Sequence, residues 1–131
     1  MMTAETNLKT ILKSISPLLH EGEYVFCTVE NIEAIDPNDL VMTFRETEGT
    51  TIILRKEAAD KLNLNYDFIA AWISLMVHSS LEAVGLTAAF STALADEGIS
   101  CNVVAGYYHD HLFVKHCDSQ KAVAVLEKLS L

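Results

Sequence analysis

Basic residues are scarce in this chain. Nine Lys and Arg stand against eighteen Asp and Glu in 131 residues, a formal charge of −9. No basic run occurs, so a phosphate backbone or an anionic lipid surface would be repelled rather than neutralised. Neither nucleic acid nor a membrane is an expected partner. Cysteine is sparse too: Cys27, Cys101 and Cys117 form no CxxC pair, which argues against a disulfide scaffold or a zinc ribbon. The longest apolar stretch, Phe68 to Val77, has 10 residues, far short of the ~20 that a membrane-spanning helix needs. The N-terminus lacks the charged-then-apolar layout of a signal peptide. A reduced, cytoplasmic protein is the expectation. Chemistry-bearing motifs are missing as well. There is no GxGxxG, no GxxxxGK[ST], no HExxH, no GxSxG and no EF-hand loop. No pair of carboxylates is placed for acid–base work, so no enzyme, no catalytic residue and no cofactor is expected.

What is present is a globular composition, with 50% hydrophobic and 21% charged residues. Residues 6–19 carry Leu8, Ile11, Leu12, Ile15, Leu18 and Leu19 in a helical stripe, with Pro17 placed to end or kink the helix. Tyr24 to Val29 is aromatic and β-branched, a strand. Residues 36–39 signal a turn, and Leu40 to Arg45 with Thr51 to Leu54 form a hairpin joined through Gly49. A short helix over 56–62 follows. Phe68 to Val77 reads as a central strand covered on both faces. Gly85 to Glu97 is a helix with Leu86, Ala89, Phe90, Ala93 and Leu94 on one face and Gly98 at its C-terminal stop. Ile99 to Tyr108 and Leu112 to His116 are strands joined through His109-Asp110-His111. A last helix starts at Asp118 or Ser119.

Two small α+β layers result, with a division at residues 1–66 and 67–131. Halves of about 65 residues have thin cores, so the two should share or abut their sheets.

Three sets of residues invite a chemical reading. His109 and His111 flank Asp110, with His116 nearby, as a metal-binding set does. A tight turn does not oblige them to converge, and a polar hairpin tip is the plainer reading, so no metal is expected. Cys101 with the histidines would suit a nucleophile, but by alternation it shares a face with Ile99 and Val103 and belongs to the core. The loop from Val77 to Thr87 is the most distinctive segment. It runs from a buried strand into the first turn of a helix, where unpaired N–H groups and the positive dipole end can hold a carboxylate without Arg. Its plainer reading is an ordinary connection with Ser and Thr capping the helix.

The stretch Ile73 to Asn102 resembles the ACT domain, a small regulatory βαββαβ module. The residues carrying the resemblance are Val77-His78-Ser79-Ser80, Val84-Gly85-Leu86, the helix from Ala88 to Ala95, and Glu97-Gly98-Ile99-Ser100-Cys101-Asn102. The likeness is strongest to the tandem ACT modules of aspartate kinase. The whole chain is similar to short stand-alone proteins of two ACT-like halves, in which phrases such as Gly22-Glu23-Tyr24-Val25-Phe26-Cys27 and Ala105-Gly106-Tyr107-Tyr108-His109-Asp110-His111 recur. The resemblance implies an α+β fold of two ferredoxin-like halves, with antiparallel sheets covered by helices and a strand exchanged between them. It implies a non-catalytic regulatory protein whose ligand is an amino acid held between ACT units. The implied ligand residues are Ser79, Ser80, Leu81, Glu82, Val84, Gly85, Leu86, Thr87, Ile99 and Asn102. Glu82 departs from the pattern, since its carboxylate would repel a ligand carboxylate or pair with an ammonium group. A homodimer or larger homo-oligomer is implied. The alternative is a ligand-free module for oligomerisation or protein interaction.

Overall fold

The computed structural model describes residues 8–76 and 84–131. The elements run α1 (Leu8–Ser14), β1 (Pro17–Leu19), β2 (Tyr24–Val29), β3 (Leu40–Arg45), β4 (Thr50–Arg55), α2 (Lys56–Lys61), β5 (Ile69–Leu75), α3 (Leu86–Asp96), β6 (Asn102–Ala105), β7 (Asp110–Lys115) and α4 (Ser119–Lys128). They divide into two compact units, Gly22–Ala70 and a second unit that joins Met1–Glu21 to Ala71–Leu131.

In the Gly22–Ala70 unit the strand order is β3-β4-β2, with β2 continuing onto the first residues of β5. All three pairings are antiparallel, and Tyr24 stands opposite both Arg55 and Ala70. The strands follow from their side chains: Tyr-Val-Phe-Cys-Thr-Val and Thr-Thr-Ile-Ile-Leu are β-branched or aromatic almost throughout. Val25, Cys27, Ile52 and Leu54 give the sheet one apolar face, which is closed by Ala59 of α2 and Ile35. Ile35 belongs to an irregular connection, residues 30–39, that stands where a ferredoxin-like module has its first helix. The connection ends in a 3-10 turn, Pro37–Asp39, in which Asp36 accepts a hydrogen bond from the Asn38 amide.

In the other unit β1 and β7 flank β5, and β6 pairs antiparallel with β7 on the outside. β1 pairs antiparallel with β5, Leu18 standing opposite Ser74. The order β1-β5-β7-β6 is that of a ferredoxin-like sheet whose fourth strand comes from the N-terminal segment. Residues Ala71, Ile73, Leu75, Leu112 and Val114 point to the helix-covered face. There they meet Leu86, Phe90 and Leu94 of α3, Ala122, Val125 and Leu126 of α4, and Ile11 of α1. The spacing of four in α3 places its three large side chains on one stripe, and all three are buried.

Helix α3 stops where expected. The Ile99 amide donates to the Leu94 carbonyl at 3.0 Å and the Gly98 amide to Ala95 at 2.9 Å, the paired bonds of a Schellman end. Ile99 folds back into the core beside Leu94.

The N-terminal stripe is the main departure from the sequence expectation. The helix ends at Ser14, and Pro17 begins a strand. A residue preceding proline disfavours the helical region, so Ser16 turns the chain out. The Met76 amide then donates to the Ser16 carbonyl at 2.8 Å, which ties the exit to the end of β5.

Candidate functional site

The sequence-predicted ligand residues fall into three groups. Ser79, Ser80, Leu81 and Glu82 lie outside the described residues. Val84, Gly85, Leu86 and Thr87 mark the start of α3. Gly85 is the N-cap residue, at φ 94° and ψ −12°, with no side-chain cap on the helix. This left-handed conformation suits glycine. A Cβ there would also lie 3.1 Å from Leu8 Cδ2 of α1. The Ala89 amide donates to the Gly85 carbonyl at 2.9 Å, so the helix begins here. Val84 and Thr87 are exposed, whereas Leu86 is buried in the core.

Ile99 and Asn102 form the third group, and they stand apart from the second. Helix α3 has 11 residues, and at ~1.5 Å per residue it spans about 16 Å. Ile99 adjoins its C-terminal end and Gly85 its N-terminal end. The Ile99 side chain is buried against the helices, so it presents only backbone. Asn102 is exposed and opens β6, the outer strand of its unit; its Nδ2 donates to the Phe113 carbonyl at 3.4 Å.

His116 lies beyond the end of β7, five residues from His111, about 16 Å of extended chain. Among the described residues no group of three His, Cys, Asp or Glu side chains is placed to hold a metal ion. Cys101 packs against the core, and burial pushes its thiol up to about 11, which disfavours the thiolate a nucleophile requires.

A second constellation emerges that the sequence reading missed. On the sheet face opposite the helices, β5 carries Trp72 and Ser74, β7 carries His111 and Phe113, and His20 follows β1. Ser74 is a buried polar side chain, 3% exposed. Its Oγ lies 2.7 Å from His20 Nε2 and 2.8 Å from His111 Nδ1. Trp72 Nε1 donates to the same His111 Nδ1 at 3.1 Å. The His20 and Trp72 rings stack, with centroids 3.6 Å apart and planes 13° from parallel. Burial pushes the His111 imidazole below its ordinary value, and the neighbouring His109 adds to this, against an opposing pull from Asp110. Burial raises the Asp110 carboxyl. In the sequence the only signal of this cluster is a serine and a tryptophan within an otherwise aliphatic run.

An antiparallel sheet with two helices on one face defines a ferredoxin-like α+β module, here completed by an N-terminal strand. Two family models named for the ACT domain match in tandem, one over residues 3–71 and the other over 68–128. The chain belongs to the ACT domain family. Among solved structures, a Vibrio cholerae protein of unknown function, given as a possible transport protein, is 46% identical. The match covers 95% of this chain and 96% of that one, with a TM-score of 0.85. Aspartate kinase from Clostridium acetobutylicum is similar over 89% of this chain and 34% of its own, at 12% identity and TM-score 0.61. The ligand-free regulatory subunit of aspartate kinase from Thermus thermophilus is similar over 88% and 98%, at 9% identity and TM-score 0.59. These two likenesses are of fold. No curated relative matches the sequence.

Proposed function

We propose that this chain is a non-catalytic regulatory module of the ACT type that binds a free amino acid at the start of α3. The observation that carries the reading is the geometry at Gly85, where a left-handed residue opens an 11-residue helix without a side-chain cap. The first-turn amides and the positive helix end suit a ligand carboxylate. Ser79 and Ser80 would orient it, Leu81 and Val84 would supply apolar contact, and Thr87 would add a hydroxyl. Glu82 would face the ammonium group. Ile99 and Asn102 stand a helix length away from Gly85, so they would reach the ligand only from a second copy of the chain. Binding would thereby favour a homo-oligomer through differential affinity for its assembled state.

Isothermal titration of the intact protein with each of the twenty amino acids tests this reading. Saturable heat with one or a few of them is expected. No heat with any of them at millimolar concentration overturns it.

One observation favours the ligand-free alternative. Strand β3 is the outer strand of its unit and exposes Phe44 at 64%, an apolar edge of the kind that pairs with another chain. That reading expects a stable oligomer by sedimentation and no thermal shift with amino acids.

A further inference from the structure

The polar cluster opposite the helices has a defined protonation pattern. An indole N–H can only donate, so His111 Nδ1 must accept from Trp72, and the proton of the neutral ring resides on Nε2. The 2.8 Å contact between Ser74 Oγ and that same nitrogen then needs its proton from the serine hydroxyl. Ser74 has no second proton, so the 2.7 Å contact with His20 is filled by a proton on His20 Nε2. The chain of donors therefore runs from His20 to Ser74 to His111, and a second donor, Trp72, converges on the same lone pair.

The other side of the His111 ring is held by the β6–β7 turn. Gly106 donates its amide to the His109 carbonyl at 2.9 Å. A Cβ on Gly106 would lie 3.0 Å from His111 Nε2 and 2.9 Å from the His109 carbonyl oxygen. A side chain at residue 106 would crowd both the ring and the His109 carbonyl, so glycine is what lets the turn sit this close to His111. That turn carries the exposed, edge-to-face rings of Tyr107 and Tyr108. It also buries His109 Nδ1, which has no hydrogen-bond partner among the described residues, an unsatisfied polar atom that opening of the turn to solvent would relieve.

We propose that His111, Ser74 and Trp72 form a proton-operated latch on the β6–β7 turn, closed while His111 is neutral and released when Nδ1 takes a proton from solvent. Protonation converts the acceptor of two hydrogen bonds into a donor facing two donors. The Trp72 contact is lost outright and the Ser74 hydroxyl must reverse. The displaced ring then pushes against Gly106. Among the described residues, the titratable groups facing His111 are His20 across the Ser74 hydroxyl, and His109 and Asp110 beside it. Helices α3 and α4 pack on the opposite face of the sheet. Beside the ring, His109 disfavours a proton on His111 and Asp110 favours one.

The experiment uses Trp72, the single tryptophan of the chain. A protonated imidazole in contact with an indole quenches its emission. The intact protein should show an emission step between pH 8 and pH 5 whose midpoint and amplitude change in His111→Asn, whose amide oxygen replaces Nδ1 and does not titrate, while His20, stacked on Trp72, is common to both proteins. Ser74→Ala removes one donor to the neutral ring and should move the step upward by about half a pH unit, a roughly threefold gain in proton affinity. Hydrogen exchange of the Gly106 amide, corrected for its intrinsic pH dependence, should accelerate below the midpoint in the wild type and not in His111→Asn. Coincident emission profiles for wild type and His111→Asn overturn the proposal. So does a step that Ser74→Ala leaves in place, or a Gly106 amide equally protected on both sides of the midpoint.

Discussion

Trp72 Nε1 donates to His111 Nδ1 across 3.1 Å, although 39 residues separate the two in the chain. The bond joins neighbouring strands β5 and β7 on the face that the helices leave uncovered, and it commits His111 to the neutral state.

This commitment makes stability depend on pH. A histidine whose imidazole is pushed below its ordinary value of 6.5 binds fewer protons folded than unfolded, so stability rises with pH between the folded and the ordinary value. The His111 contribution is full above about 6.5 and is lost as pH falls toward the lowered value. Asp110, whose carboxyl is raised from 3.8, acts in the opposite sense at lower pH. Denaturant unfolding of wild type should give lower stability at pH 5.5 than at pH 7.5. His111→Asn should flatten that difference, and an equal slope in both proteins would contradict this account.

Phe90 is fully buried between α3 and the sheet. Phe90→Ala should cost about 3–5 kcal/mol of unfolding free energy, as removal of a buried aromatic ring usually does. The check is a urea titration, with the loss read from the midpoint at unchanged slope. A loss below about 1 kcal/mol would mean that this core is not packed as described.

Gly85 combines a left-handed backbone with close contact to Leu8. Gly85→Ala should destabilise by about 1–3 kcal/mol through strain and crowding. Leu8→Ala in the same background should give a double mutant less destabilised than the sum of the single changes, because the crowding is then relieved. Strict additivity would show that the contact does not exist.

The three cysteines should differ in reactivity. Cys117 is exposed, Cys27 is buried and Cys101 is half-buried. Burial raises the thiols of both Cys27 and Cys101, the latter to about 11. Iodoacetamide at pH 7.5 should modify the native protein once, at Cys117, with the other two reacting only on unfolding. Mass spectrometry of the digest checks this, and early labelling of Cys101 would contradict it.

Much of the fold was legible because its elements carry local signals. The stripe Leu86, Phe90, Leu94 and the stop at Gly98 marked α3 to within a residue or two. The β-branched runs marked β2 and β4, and the expected exchange of a strand has its counterpart in β1 beside β5. What was not legible was long-range. Leu18 and Leu19 extend the periodicity of α1, yet they belong to a three-residue strand too short to show a period of its own. Ser74 and Trp72 look like minor interruptions of an apolar run, and only pairing with a strand some 37–39 residues away reveals their partners. Local spacing likewise drew His116 toward His111, although an extended strand separates them. Of the expected ligand residues that are described, Val84, Gly85, Leu86 and Thr87 adjoin in sequence at the start of α3, while Ile99 and Asn102 follow the helix to its other end.

The most direct test of the amino-acid reading is a titration of the isotope-labelled protein with free amino acids, followed residue by residue in the amide spectrum. The account predicts saturable shifts concentrated at Gly85, Leu86 and Thr87 with a cognate amino acid. An amide spectrum unmoved by all twenty at millimolar concentration, or shifts confined to residues remote from α3, would contradict it.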